Sequence, residues 1–380
     1  MKSKIISKLP VLIAAVLMIV IYNLPIWWVS LTAPNYPEEA FPDGVKIHFH
    51  FNGVFNGCKQ VEKDEIHEDQ SLDCVHEMDT INHYVGMYPI AAGGAVEVAF
   101  SVFLIALAFV MLISYACDDS KRRMLIQIVG FSIIVIWMIL ALYVPGGLKY
   151  QTSKYLEGRV AALGQEDSDI SEDLSPGEAL IASLKSSLES SGVEVEGEKK
   201  AELSKKEKDI AFLKDAFETS QTRLAIQEKW NGSGAQLLSW HYRANLARYF
   251  NDPAKISPMV KKIQLATHVA FVLILIIMAV LVIGSRKTDS LIYKLLILVP
   301  MALPVFFVVF YAVWLSWYGH NMNDMGAFTL KAFMPTVFGQ GKVAQFTTNS
   351  YPHIGFFLML LSSALLGFSF INQRKKSGED

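Results

Sequence analysis

The chain reads as an all-α membrane protein of six transmembrane helices, with both termini in the cytoplasm and its longer connections outside. Three observations predict this. Of 380 residues, 52% are hydrophobic and only 18% charged, against roughly 25% charged in an average soluble domain. Six stretches are apolar for about the 20 residues a helix needs to cross a hydrocarbon core. Their basic flanks all fall on one side of the membrane, the side that the positive-inside rule makes cytoplasmic.

The stretches are 10–29, 89–117, 124–144, 263–284, 291–317 and 353–371, and Glu97 is the only acidic residue within them. The basic clusters at the cytoplasmic ends of the stretches are Lys2, Lys4 and Lys8, then Lys121, Arg122 and Arg123, then Arg286, Lys287 and Lys294, the last within the first turn of its stretch, then Arg374, Lys375 and Lys376. The chain thus divides into an anchor (1–30), an outer His/Cys segment (31–88), helices two and three (89–148) and an outer helical insert (149–262). Helices four and five (263–317), an outer His/Met loop (318–352) and the sixth helix with its tail (353–380) complete it.

The first stretch has the basic start and apolar run of a signal peptide but no small-x-small cleavage site. Trp27 and Trp28 stand where an interfacial aromatic belt lies, so it reads as an uncleaved anchor. In the next segment Pro34 and Pro37 bias their predecessors towards extended backbone. Val45–Phe51 alternates as a strand that carries His48 and His50 on one face, and 55–58 reads as a turn. Cys58 and Cys74 lie in an oxidising outer segment, where disulfides persist, and are predicted to be bridged. The competing reading makes them a metal site with His76. Cys117, at a cytoplasmic helix end, is predicted to be reduced.

The insert opens with an acidic loop, 165–173. Ser175-Pro176-Gly177-Glu178 is a helix start with a capping box, predicting a helix to about residue 190. Leu203, Ile210, Phe217 and Leu224, with Leu213 between them, form one helical stripe. A further helix over 235–250 returns towards the membrane. Together these read as a helical hairpin packing on itself or on a partner. Asn231-Gly232-Ser233 matches a glycosylation acceptor but reads as a loop, and Gly339-Gln340-Gly341-Lys342 reads as a turn.

A net charge of −2 is too balanced for a nucleic-acid footprint, and no glycine motif indicates a nucleotide. Three cysteines without a Cys-x-x-Cys give no zinc ribbon and no covalently attached haem. No catalytic arrangement is legible. What stands out is the gathering of His and Met on the outer side. Imidazole suits copper and thioether selects its cuprous form. His83 and Met87 are four apart just before span two, and His320, Met322 and Met325 precede span six with His353. These six form the predicted copper set, with His48 and His50 as a separate cupric site. Glu97 is costly inside a span and therefore a functional candidate. His268, at similar depth in span four, is its predicted partner.

Three blocks carry a resemblance: Leu24-Pro25-Ile26-Trp27 with Ala33-Pro34-Asn35-Tyr36-Pro37-Glu38, then Ile81-Asn82-His83-Tyr84-Val85-Gly86-Met87, then 341–348 with Ser350-Tyr351-Pro352-His353. In these the chain resembles a family of bacterial multi-span membrane proteins associated with copper-enzyme systems such as nitrous oxide reduction. The resemblance spans both ends and the outer junctions but not 149–262. It implies a protein of the bacterial inner membrane, with main loops in the periplasm, that binds copper and delivers it to a membrane or periplasmic cuproenzyme or assembles that enzyme. Two alternatives stand beside it. One is a non-catalytic subunit or assembly factor docking a protein partner through the insert. The other is a transporter working through Glu97 and His268.

Overall fold

The computed structural model describes residues 2–62, 69–70, 72–163, 204–222 and 227–377. Helix α1 (Lys2–Asn23) leads into strand β1 (Trp27–Thr32), followed by β2 (Val45–His50), β3 (Gly53–Asn56) and the two-residue strands β4 (Val61–Glu62) and β5 (Asp69–Gln70). Helices α2 (Cys74–Val85), α3 (Ala95–Tyr115), α4 (Ser120–Leu142) and α5 (Ser153–Leu163) come next, then α6 (Lys205–Gln221) and α7 (Gly234–Tyr249). The chain ends with α8 (Pro253–Gly284), α9 (Leu291–Met301), α10 (Leu303–His320), β6 (Gly339–Val343), β7 (Phe346–Pro352) and α11 (Ile354–Ser377).

Among the described residues, five helices, α3, α4, α8, α10 and α11, are long and apolar enough to cross a membrane by length and composition. Many of their apolar side chains are exposed, among them Ile133, Leu265, Val305 and Phe368. A soluble protein would bury these residues, and a bilayer solvates them. Helix α1 packs on α3 and α11, α3 on α4 and α9, and α8 on α4 and α7. At 32 residues α8 is about 48 Å long at 1.5 Å per residue, longer than a hydrocarbon core.

The chain is not all-α. One end of the bundle carries a five-stranded antiparallel sheet in the order β3-β2-β1-β7-β6. The first apolar stretch stops being helix at Asn23, because Pro25 disfavours helical backbone before it. The aromatic and β-branched run that follows then pairs as β1. Trp27 is therefore buried at 3% exposure, and its Nε1 donates to Ser350 Oγ at 2.8 Å. It is a core residue of the sheet, not part of an interfacial belt. The glycine-rich 339–342 run, expected as a turn, is strand β6, and the reversal comes at Ala344, which adopts φ 53°.

The inner sheet face, with Trp27, Val29, Ile47 and Phe49, packs on Phe307, Tyr311 and Phe356. The fifth apolar stretch is broken at Ala302 into α9 and α10. Pro304 has no N–H to continue the ladder and fits only the first turn of a new helix.

The insert holds helices α6 and α7, of which α6 packs mainly on α5 and α7 mainly on α8. Ser204 and Glu207 cap α6 reciprocally. Its Leu213 and Phe217 are fully buried, and Phe217 meets Trp240 of α7 with ring centroids 5.5 Å apart. The helix expected from Ser175, the acidic loop, and Leu203 and Leu224 of the stripe lie outside the described residues.

Candidate functional site

The alternation of β2 puts Lys46, His48 and His50 on the sheet face opposite the core, beside Trp28 and Tyr351. Because β1 is the only strand between β2 and β7, residues near the end of β7 come close to β2. His353 follows β7 directly, and its ring centroid lies 5.1 Å from that of His48. His50 stands edge-on to Phe55 of β3 at 4.8 Å. Three imidazoles from two chain segments about 300 residues apart thus share one patch.

All three rings are half-buried. Burial is the main cause that lowers the pKa of each. It takes His48 to about 4, with His353 and Lys46 adding repulsion. His50 falls to about 3, where Lys154 and the other two rings add to burial. His353 is lowered by burial and by Lys46. The rings are therefore neutral at neutral pH, the state in which imidazole binds a metal.

His48 Nε2 and His50 Nδ1 are buried, with no hydrogen-bond partner among the described residues. His353 Nδ1 accepts from Ile354 N at 2.8 Å. Gly57 lies against His48, where an added Cβ would stand 3.1 Å from Nε2. The donor chemistry fits a transition-metal ion. Among the described residues, however, no three His, Cys, Asp or Glu side chains already converge on one metal position.

The other predicted ligands go elsewhere. His83, on the last turn of α2, packs between Tyr84, Tyr249 and Phe250. His320 is exposed and its Nδ1 bonds Ser316 O. Met87 lines a cavity beneath the sheet, Met322 is half-buried and Met325 is exposed. The loop that carries them does reach α2, since Asn323 N donates to Gly86 O and Phe328 N to Tyr84 O. His353 nevertheless groups with His48 and His50 and not with His83.

No family model, curated protein or solved structure matches the chain.

Cys58 and Cys74 are joined by a disulfide, so neither thiol is free to join His76, which faces Tyr249. His241 is a core residue at 1% exposure and bonds Arg159 O. His67 lies outside the described residues. Glu97 and His268 are not paired. Helix α3 begins at Ala95, six residues later than the apolar run, so Glu97 is an exposed residue of its first turn, where the helix dipole favours a carboxylate. His268 is exposed and bonds Tyr143 instead, Nδ1 to hydroxyl, at 3.0 Å.

Two residues of the patch, Gly57 and Lys154, carry no sequence signal that singles them out. The contribution of His353 to it depends on the order of strands, which no local pattern records.

Proposed function

We propose that this protein is a six-span protein of a bacterial inner membrane, with both termini cytoplasmic, that binds copper as cargo on His48, His50 and His353 and passes it to a cuproenzyme. The sixth span would be α1, and α9 with α10 would make a single kinked crossing. The observation that carries the copper reading is the His48–His353 approach of 5.1 Å beside His50, with neutral rings and unpartnered nitrogens in the patch. The four basic flanks support the sidedness.

Copper at His353 Nδ1 would replace the Ile354 hydrogen bond. The test is competition for Cu(I) and Cu(II) against a chelator of known affinity, using the purified full-length protein. His48→Ala and His353→Ala are expected to weaken binding at least tenfold, while His83→Ala and His320→Ala leave it unchanged. Equal affinity in all four variants and the parent would overturn the reading.

A second reading is a non-catalytic subunit or assembly factor. It is favoured by the exposed Met325, Phe328, Met334 and Phe338 in one loop, since apolar side chains gathered at a surface mark contact sites. Co-purification in mild detergent, with Phe328→Ser and Phe338→Ser as controls, tests it.

A further inference from the structure

On the opposite face of the sheet from the histidines lies a cavity of about 90 Å³. Its walls come from separate parts of the chain: Val29 and Phe49 of the sheet, Met78 and Ile81 of α2, Leu315 of α10, and Phe333 of the following loop. Among the described residues, no Lys, Arg, His, Asp or Glu lines it. Asn82, on the last turn of α2, also lines it. Asn82 is 4% exposed, and among the described residues its Nδ2 has no hydrogen-bond partner. The Asn82 backbone is fixed, because its carbonyl accepts from Met87 N as α2 ends. A buried amide donor left unpaired is destabilising, so a ligand that pairs it gains from doing so.

We propose that this cavity binds a small uncharged molecule with an apolar body and one hydrogen-bond acceptor, which takes the Asn82 Nδ2–H. Each part of that description has its own ground. The walls hold no countercharge, which excludes ions. The volume excludes drug-sized ligands, which occupy pockets of about 300–1,000 Å³. A dry engineered cavity of about 150 Å³ takes benzene, so this one, at about 90 Å³, suits about four non-hydrogen atoms. The unpaired amide selects an acceptor, such as a ketone or ether oxygen, over a plain hydrocarbon. The site is independent of copper binding, because β2 sends Phe49 to this face and its neighbours His48 and His50 to the other.

The test uses the full-length protein in detergent with ¹³C-methyl methionine, because the Met78 and Met87 methyls report from the cavity wall and the other methionines serve as internal controls. The probes are acetone and 2-methylpropane, matched in size and differing in the acceptor, each referred to its free aqueous concentration. Acetone is expected to shift the Met78 and Met87 signals saturably. It is also expected to bind about three- to tenfold more tightly than 2-methylpropane, as one net hydrogen bond implies. Asn82→Leu is expected to remove that preference while hydrocarbon binding persists. The preference in the parent protein needs no variant and decides the matter should Asn82→Leu fail to fold. Non-saturable shifts, shifts equal at all methionines, or no preference for the ketone would overturn the proposal.

Discussion

Asp79 shows how one side chain can set a pH dependence. It is 3% exposed, and its carboxylate accepts from the backbone N–H groups of Ile90 and Ala91, which begin the turn into α3. Burial raises its pKa to about 8, although those two bonds oppose the rise. A carboxyl whose folded pKa exceeds its unfolded value stabilises the fold fully below the unfolded pKa, and loses that contribution as pH rises through the folded one. Stability should therefore fall between about pH 4 and pH 8. Asp79→Asn keeps an acceptor for Ile90 without a titration. Its melting curve should vary less over that window and lie several degrees above the parent at about pH 8.5. Equal slopes in both proteins would refute this. Arg123 is a second case. Its guanidinium is 1% exposed and donates to the carbonyls of Cys117, Ser285 and Arg286 at 3.0–3.1 Å, with the Tyr293 ring 4.6 Å away. Counted by the sequence as a cytoplasmic charge, it also staples three helix ends. Arg123→Lys keeps the charge but loses the fork that reaches three carbonyls. A loss of about 2–4 kcal/mol is expected in denaturant titration, at roughly 1.5–3 kcal/mol for a charged hydrogen bond less what lysine retains.

Among the elements, the apolar helices were legible because hydropathy is a local property, and so were α6 and α7 from Phe217, Leu213 and the 235–250 run. The strands outside β2 were not. Trp27 and Trp28 directly follow an apolar helix, and only their pairing with β7, which ends more than 300 residues later, makes them a strand. The same non-local pairing hid the place of His353, although the alternation of His48 and His50 was plain. Glu97 was misplaced because apolar residues 89–94 form a turn and not the first turns of α3. The disulfide ties the end of β3 to the start of α2 across a separation of 16 residues, for which the chain-entropy model gives about 3 kcal/mol. Asn56 Oδ1 accepts from both Cys58 N and Cys74 N, so these ends stay joined without the bridge. Reduction should thus leave the folded ends in place and cost about that figure, the entropy that the opened unfolded chain regains. Melting with and without reductant measures it, and a loss well above about 3 kcal/mol would show that the Asn56 bonds do not hold.

At the scale of the molecule, the proposed topology predicts opposite accessibility for two introduced cysteines. In intact spheroplasts, a membrane-impermeant thiol reagent should label Lys342→Cys on β6 and should not label Ser3→Cys before α1. The reverse pattern would invert the protein in its membrane and put the histidine patch in the cytoplasm.

The pairing of β1 with β7 also has a consequence for synthesis. Trp27 and Ser350, bonded across the middle of the sheet, are 323 residues apart. At about 5–20 residues per second, β1 waits roughly 15–65 s for the strand that completes it. Until then its free edge is open to wrong partners, and neither the histidine patch nor the cavity beneath it exists. A chain cut short before β7 would insert most of its spans and lack both sites, so the last part translated licenses what the first part can do.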